Sequence, residues 1–135
     1  MANNLNVDHF RNGDSIPEAK TAYEWKKAGE EGSPAWSYYD NKPINGTYFG
    51  RLYNWYAVDD SRTIAPEGWH VPTDEEWKQL EMCLGMNQTE ADADAWRGTD
   101  EGGKLKETGI VHWFNTTTEV TNESGFTALP AGIRS

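Results

Sequence analysis

The spacing of apolar positions predicts two main helices in this chain. Between residues 48 and 58, aromatic and aliphatic side chains recur at intervals of three and four, which predicts one buried aromatic helix. Between residues 74 and 84, Trp77, Leu80 and Leu84 fall on one face of a second helix. We expect the two helices to pack on a small, twisted and mostly antiparallel sheet, which is an α+β architecture.

The start of the second helix is the best-defined junction in the sequence. Pro72 biases the residues before it toward extended backbone and cannot lie inside a helix. Thr73 and Glu76 have the spacing of a capping box, in which the two side chains satisfy backbone amides at a helix start. We therefore expect the helix to begin at Asp74 and to end before Gly85.

The other elements are predicted to be short, because turn-forming residues interrupt the chain often. A helix is expected over 18–28, and a cap at Thr89 predicts another that runs through Trp96. A short strand around Leu5 and Val7 is expected before a tight turn at 11–14, and further short strands are expected at 36–39, 110–114 and 125–129. A tight reversal is expected at 45–46.

The composition predicts one domain with an aromatic core. The chain has 135 residues, only 36% of them hydrophobic, with a mean hydropathy of −0.84. It nevertheless contains seven Trp, six Tyr and four Phe, whose rings bury a large area each. Most of these rings, including Trp69 and Trp77, are therefore expected in the core. Any individual Trp is expected to be a core residue rather than a ligand-binding one.

The charge and hydropathy patterns exclude two classes of partner. Twenty-two acidic and 12 basic side chains give a net charge of −10, which repels a phosphate backbone, so no nucleic-acid partner is expected. No apolar run approaches the length of a membrane span, so no membrane insertion is expected. The first residues lack the basic and apolar regions of a signal peptide.

Cysteine and histidine positions give no sign of a metal or thiol site. Cys83 is the only cysteine, which excludes an internal disulfide, and it is expected to be a small buried side chain of the second helix. His9, His70 and His112 are too far apart for a helical zinc pair. His70 is expected to be packed and hydrogen-bonded.

Two further stretches resemble ligand loops only at first sight. The alternating carboxylates of 92–96 lack the glycine and glutamate of a calcium loop, since Arg97 and Gly103 stand at those positions. A solvated helix face is expected there. The glycines just before Lys104 lack the phosphate-loop consensus, so a loop with a left-handed glycine is expected. No cofactor and no metal are therefore expected.

Six motifs occur in an order that is typical of one family. They are L-N-V near the start, R-N-G-D-S-I-P at 11–17, Y-N-W-Y-A-V at 53–58, P-E-G-W-H-V-P-T-D-E-E-W at 66–77, G-G-K-L-K-E at 102–107 and N-E-S-G-F-T-A-L-P-A-G at 122–132. Over nearly the whole chain they resemble the Fibrobacter succinogenes major paralogous domain. The resemblance implies a C-type-lectin-like fold, distantly similar to formylglycine-generating and sulfatase-modifying-factor proteins, and an extracellular or cell-surface location in bacteria.

The resemblance also implies that residues 1–135 are one domain that lacks parts of both ends. A sheet edge left unpaired in this way would favour self-association with a second copy. The oxidase members of the wider fold group use a pair of cysteines, so their activity does not carry over to a chain with Cys83 alone.

These observations lead to three functional hypotheses. The first is a non-catalytic surface module that binds a carbohydrate or a protein, since aromatic faces beside Asn and Asp side chains suit a sugar. The second is a purely structural or interaction building block whose rings all belong to the core. The third is a hydrolytic enzyme that uses Glu75, Glu76 or Asp94, although acids at a helix start already have an electrostatic role. The sequence assigns no catalytic or ligand-binding residue.

Overall fold

The computed structural model describes residues 4–94, 96–109, 112–113 and 119–135, which divide into two compact units. The first unit contains residues 4–71 and 131–135, and the second contains the described residues of 72–130. Short helices and a small antiparallel strand pair confirm the α+β class. The assignment of residues 1–135 to one domain stays a prediction.

The first unit is built from four helical segments and two short strands. Its elements are α1 (Ala22–Glu30), β1 (Trp36–Ser37), a 3₁₀ turn (Tyr39–Asn41), α2 (Pro43–Phe49), β2 (Leu52–Tyr53) and α3 (Trp55–Val58). β1 and β2 are antiparallel, with Trp36 opposite Tyr53. On the other side of β1, Glu18 forms a parallel bridge with Trp36. The strand predicted at 36–39 is therefore confirmed for its first two residues.

A capping box sets the start of α1. The Thr21 side chain accepts a hydrogen bond from the Glu24 amide, and the Glu24 carboxylate accepts one from the Thr21 amide. This pair satisfies two amides that have no partner inside the helix. The helix predicted over 18–28 therefore begins at Ala22, and residues 18–20 lie outside it.

The single helix predicted over 48–58 is wrong. The chain leaves α2 at Gly50, whose φ is 73°, passes through β2 and enters α3 with Asn54 as the cap. A Cβ atom on Gly50 would lie 2.6 Å from the backbone oxygen of Leu5, so only glycine fits this close approach. The helical periodicity of this segment is thus overridden by a contact with residues far away in the sequence.

The reversal predicted at 45–46 is also wrong, because both residues lie inside α2. Pro43 stands in the first turn of this helix, where its missing N–H is no disadvantage. Gly46 packs against the ring of Tyr38 so closely that an added Cβ atom would clash with it. The glycine therefore serves helix packing and not a turn.

The core of the first unit mixes aliphatic and aromatic side chains. Its buried cluster consists of Phe10, Ile16, Trp36, Ala57 and Ile64. Trp36 is the only buried tryptophan among the described residues, and its indole N–H donates to the Ile16 carbonyl over 2.8 Å. The prediction that most aromatic rings lie in the core is therefore wrong. A small unit has little interior relative to its surface, and alanine and isoleucine fill much of it here.

Trp69 and Trp77 were both predicted to lie in the core, and neither does. Trp69 is 65% exposed and Trp77 is 37% exposed. The ring of Trp77 packs against Phe126, with the centroids 5.9 Å apart, but that contact covers only part of the indole. These two tryptophans therefore lie at the surface of the units to which they belong.

The second unit is helical. Its elements are α4 (Asp74–Cys83), α5 (Gln88–Ala91) and α6 (Glu101–Leu105). The capping box of Thr73 and Glu76 and the helix start at Asp74 are confirmed. The chain leaves this helix before Gly85, whose φ of 120° is accessible to glycine, as predicted.

The helix predicted from a cap at Thr89 is shifted and shortened. Asn87 is the cap of α5, because its side chain accepts from the Glu90 amide and Glu90 completes the capping box. Asp92, the acid three residues after Thr89, lies past the last residue of this helix, whereas Glu90 lies three residues after Asn87 and forms the box with it. The helix ends at Ala91, so residues 92–94 are not the helix face that was predicted.

The strands predicted outside β1 and β2 form single bridges at most among the described residues. The segment predicted as a strand at 5–7 is irregular, and the turn after it is closed by a bridge between His9 and Ser15. The segment 125–129 contributes one bridge, between Ala128 and Lys106. Of the strand predicted at 110–114, only residues 112–113 are described. In the part of the chain that the structure describes, no helix is long and apolar enough to cross a membrane.

Candidate functional site

The first unit contains an open cleft of about 410 Å³. Two chain segments, 18–20 and 38–43, form its walls. The lining residues are Glu18, Ala19, Lys20, Tyr38, Asn41 and Pro43.

The first wall is fixed to strand β1. The Ala19 amide donates to the Trp36 carbonyl over 2.8 Å, and the Trp36 amide donates to the Pro17 carbonyl over 2.9 Å. The Lys20 amide donates to the Glu24 carboxylate over 2.7 Å, which connects this wall to the start of α1. The backbone of the wall is therefore held at both ends, while the side chain of Lys20 remains 72% exposed.

The second wall is a tight turn with two consecutive left-handed residues. Asp40 has a φ of 58° and Asn41 a φ of 54°, a conformation that Asp and Asn tolerate better than other non-glycine residues. The turn is held by Asn45, whose side-chain amide donates to the Tyr39 carbonyl over 2.8 Å. The ion pair with Asp40 raises the pKa of Lys42. This turn directs Asn41 toward the cleft in a fixed backbone geometry.

Tyr38 is positioned by aromatic packing. Its ring meets Trp36 edge to face, with the centroids 5.0 Å apart and the planes at 75°. The guanidinium of Arg51 lies 4.0 Å from the centroid of the Trp36 ring and 5.7 Å from that of Tyr38. The aromatic part of the cleft therefore rests on the core of the unit.

Arg134 connects the two walls. Its Nη1 donates to the Asn41 side-chain oxygen over 2.6 Å and to the Ala19 carbonyl over 3.5 Å. The guanidinium carbon lies 5.0 Å from the centroid of the Trp25 ring. Burial lowers the pKa of Arg134, and the charge of Glu24 opposes this shift. A half-buried cation therefore stands at the rim of the cleft.

The lining can bind a polar ligand that has one apolar face. Tyr38 supplies a ring, Lys20 and Asn41 supply N–H donors, and Asn41 also supplies an amide oxygen. Glu18 is the one carboxylate in the lining, and its Oε2 lies 3.8 Å from Nζ of Lys20. An aromatic ring beside donors and acceptors is the usual composition of a sugar site.

The acidic residues considered from the sequence lie in the second unit and do not line the cleft. Oε1 of Glu75 lies 4.0 Å from Nζ of Lys78. The Glu76 carboxylate accepts a hydrogen bond from the Thr73 amide at the start of α4. No described contact joins Asp94 to either glutamate. The structure therefore does not bring these three carboxylates together as a reactive pair.

The predictions that Cys83 is buried and that His70 is packed are wrong. Both residues are exposed, and α4, which contains Cys83, has no buried residue at all. Nδ1 of His9 lies 2.6 Å from Oδ1 of Asp8, and Nδ1 of His112 lies 2.6 Å from Oε2 of Glu107. Among the described residues, no group of three or more His, Cys, Asp or Glu side chains is placed to hold a metal ion.

The glycines before Lys104 only partly match the predicted loop. Gly98 has a left-handed φ of 81°, but Gly102 and Gly103 lie in α6. Lys104 itself donates to the Leu84 carbonyl over 2.6 Å and pairs with Asp100. This lysine is therefore committed to contacts inside the second unit.

The residues of the cleft were not identified from the sequence. One signal was present: Asp40 and Asn41 stand together between two tyrosines and Pro43, a pattern typical of a left-handed turn before a helix. The contact between residues 18–20 and this turn has no local signature. It depends on the pairing of Glu18 with Trp36 and on the position of Arg134.

These elements define a small α+β protein with short helices and one antiparallel strand pair. The family model of the Fibrobacter succinogenes major domain matches residues 1–135, and the chain belongs to this family. The match confirms the family indicated by the six motifs. No curated protein and no solved structure is similar enough to the chain to count as a match.

Proposed function

We propose that the protein is a non-catalytic ligand-binding module and that a carbohydrate binds in the cleft. The observation that carries this proposal is the composition of the cleft, where the Tyr38 ring lies beside Glu18, Lys20 and Asn41. The ring suits the apolar face of a sugar, and the three polar side chains suit its hydroxyl groups. The volume of about 410 Å³ falls within the usual range of small-molecule sites.

The rigidity of the walls supports binding by a preformed site. Hydrogen bonds to Trp36 and Glu24 hold the first wall, and the Asn45 side chain holds the second. A site whose backbone is already ordered loses less conformational entropy when a ligand binds. The cleft therefore supports recognition of a ligand without a folding step.

The charges of the cleft support binding without hydrolysis. Most glycosidases place two carboxylates on either side of the bond they cleave. The lining of this cleft supplies Glu18 alone, and Nζ of Lys20 lies 3.8 Å from its Oε2. Glu75 and Glu76, the other acids considered, interact with Lys78 and Thr73.

The second candidate is a purely structural building block. The observation in its favour is that polar groups at the cleft already contact one another, as Asn41 does with Arg134 and Glu18 does with Lys20. In this alternative the contacts serve only to hold residues 131–135 in the first unit. The binding experiment below distinguishes the two candidates.

We further propose a C-type-lectin-like fold and an extracellular or cell-surface location. Membership of the family and the order of the six motifs support both. An experimental structure whose sheet connectivity differs from that of lectin-like domains would contradict the first. Recovery of the native protein from the cytoplasm of its host would contradict the second.

Self-association through a sheet edge is a separate proposal. β1 is bonded on both sides, to β2 and to Glu18, whereas among the described residues β2 is bonded to no further strand. An unpaired strand edge is a surface on which a second copy can pair. Light scattering of the purified chain at several concentrations tests this, and a constant monomeric mass contradicts it.

Binding to a glycan array tests the carbohydrate proposal. Lys20→Ala removes a donor of the cleft from a side chain that is 72% exposed, so it leaves the fold intact. Lys26→Ala is the matched control, since Lys26 is 77% exposed and does not line the cleft. We expect binding that Lys20→Ala weakens and Lys26→Ala leaves unchanged. Absence of glycan binding by the unmodified chain would favour the structural building block.

A further inference from the structure

We infer that the carbohydrate bound in the cleft carries a carboxylate group and that Arg134 binds this group. The inference rests on the proposed function and specifies its ligand class as acidic saccharides. It depends on the unused hydrogen-bonding capacity of Arg134, on the absence of a described carboxylate within 4.0 Å of it and on its position at the cleft.

Arg134 differs from most cations of this acidic chain. Nine of the 12 basic side chains lie within 4.0 Å of a carboxylate oxygen. They are Lys20, Lys26, Lys27, Lys42, Arg51, Arg62, Lys78, Arg97 and Lys104. Among the described residues, Arg134 has no such neighbour, although the chain contains 22 acidic side chains. The charge of Glu24 acts on Arg134 only from beyond that distance.

The other two basic residues without a carboxylate partner are accounted for by neutral groups. Arg11 uses Nε and Nη2 to donate to the carbonyls of Ala65, Pro66 and Trp69. Lys106 lies over the Trp113 ring, 4.7 Å from its centroid. Each of these cations is thus engaged by groups of its own unit.

The edge of the Arg134 guanidinium formed by Nε and Nη2 is available to bind a carboxylate. Both of its hydrogen bonds use Nη1, and in the described part of the chain no acceptor is bonded to Nε or Nη2. The Nε and Nη2 N–H groups point the same way, which is the geometry that binds the two oxygens of a carboxylate. The contact between Nη1 and Asn41 fixes the guanidinium beside a residue that lines the cleft.

Electrostatics favours an acidic ligand at this place. Arg134 is half-buried beside the Trp25 ring, so part of its hydration is lost. The charge of Glu24 offsets this loss only in part, because no described carboxylate lies within 4.0 Å of the guanidinium. Lys20, the one cation in the lining, lies with its Nζ 3.8 Å from Oε2 of Glu18 and is mostly exposed. A carboxylate on the ligand would compensate Arg134 directly, and a neutral sugar would not.

Calorimetric titration with matched sugars tests the inference. The probes are trimers of galacturonate, glucuronate and mannuronate, each paired with its carboxyl-reduced neutral trimer, and a pentaglutamate peptide. We expect at least one acid trimer to bind about tenfold or more tightly than its neutral partner, a difference of about 1.4 kcal/mol. The preference should decrease as salt is added, because the contact lies near the surface.

Three variants assign the preference to Arg134. Arg134→Gln should bring the ratio of acid to neutral affinity close to one, because any loosening of the two walls weakens both trimers alike. Arg134→Lys should retain only part of the acid preference. Lys106→Gln removes the same charge from the second unit and should leave the preference intact. Circular dichroism of each variant establishes that it is folded.

Each remaining outcome contradicts a particular claim. Equal affinity for acid and neutral trimers overturns the inference and leaves the proposed function standing. A ratio of acid to neutral affinity that Arg134→Gln leaves unchanged overturns the role of Arg134 as a carboxylate-binding residue. Pentaglutamate binding as tight as the best acid trimer overturns the restriction to saccharides. Failure of every sugar to bind overturns both the inference and the proposed function.

Discussion

Arg134 Nη1 donates a 2.6 Å hydrogen bond to the side-chain oxygen of Asn41, which lies 93 positions earlier in the chain. Asn41 is the second of two consecutive left-handed residues, so its backbone depends on the contacts around it. Gly132, two residues before Arg134, and Tyr39, two residues before Asn41, are also in close contact. The conformation of the cleft is therefore coupled to residues 131–135.

Gly132→Ala should loosen the second wall of the cleft. Gly132 has a φ of 76°, and an added Cβ atom would lie 2.4 Å from the Tyr39 ring. Both the backbone strain and the clash disfavour the present position of residues 131–135, at a combined cost of about 2–3 kcal/mol. We expect faster amide hydrogen exchange in residues 39–43 and a lower free energy of unfolding, measured by urea denaturation.

Gly13→Ala is the control that separates strain from clash. Gly13 has a φ of 93°, but an added Cβ atom would meet nothing within 4 Å. This variant should therefore lose only about 1–2 kcal/mol and leave exchange at residues 39–43 unchanged. If the two variants behave alike at those residues, the packing of Gly132 against Tyr39 does not control the wall.

Arg51→Met should destabilise the first unit mainly through lost stacking. The Arg51 guanidinium lies 4.0 Å from the centroid of the Trp36 ring, and the side chain is only 12% exposed. It also donates to the Asn6 carbonyl over 3.2 Å. Methionine keeps much of the volume but neither the cation–π contact nor the hydrogen bonds, which are worth about 2 kcal/mol or more together. Urea denaturation followed by tryptophan fluorescence measures the loss.

Asp8→Asn removes the ion pair of Arg51 and leaves the stacking in place. Nη2 of Arg51 lies 3.2 Å from Asp8, but the Asp8 side chain is 50% exposed, so water screens this pair. The expected loss is less than about 1 kcal/mol. A loss as large as that of Arg51→Met would mean that the ion pair, and not the stacking on Trp36, holds Arg51 in place.

The sequence predicted the start of α4 from its capping box, but not the starts of α1 and α5, whose capping boxes are equally local. It also failed where distant contacts decide. Thr73 and Glu76 form their capping box because both groups lie within one turn. The helix predicted over 48–58 fails because Gly50 lies against the backbone of Leu5, 45 positions away. The cleft was missed for the same reason, since Ala19 and Asn41 meet through Arg134. The exposure of the aromatic rings could not be predicted from composition, because composition does not show how small the buried core of each unit is.

Thr73→Ala should weaken α4 by removing its cap. The Thr73 hydroxyl accepts from the Glu76 amide over 3.2 Å, and in alanine that amide loses its protein partner. The expected loss is about 1 kcal/mol of unfolding free energy. Thr73→Ser keeps the hydroxyl and should lose much less. Equal losses in the two variants would show that the threonine methyl group, and not the cap, matters at this position.

Tyr53 should make the first unit sensitive to alkaline pH. Its hydroxyl donates to the Val7 carbonyl and accepts from the Val7 amide, each over 2.8 Å. Burial raises the pKa of Tyr53 from 10.0 to about 12, because the phenolate is poorly hydrated in this environment. The raised pKa means that the neutral phenol stabilises the folded state fully below pH 10, and that this contribution is lost as the pH rises toward 12.

The difference in phenolate absorbance between the wild-type chain and Tyr53→Phe measures this titration. We expect a single step near pH 12 in the difference curve, and a free energy of unfolding that falls from pH 10 upward in the wild-type chain but less steeply in the variant. At neutral pH, Tyr53→Phe should cost about 1 kcal/mol, because the Val7 amide and carbonyl lose their partner. A step near pH 10 in the difference curve would show that the Tyr53 hydroxyl is hydrated, which contradicts its packing between β2 and the segment that contains Val7.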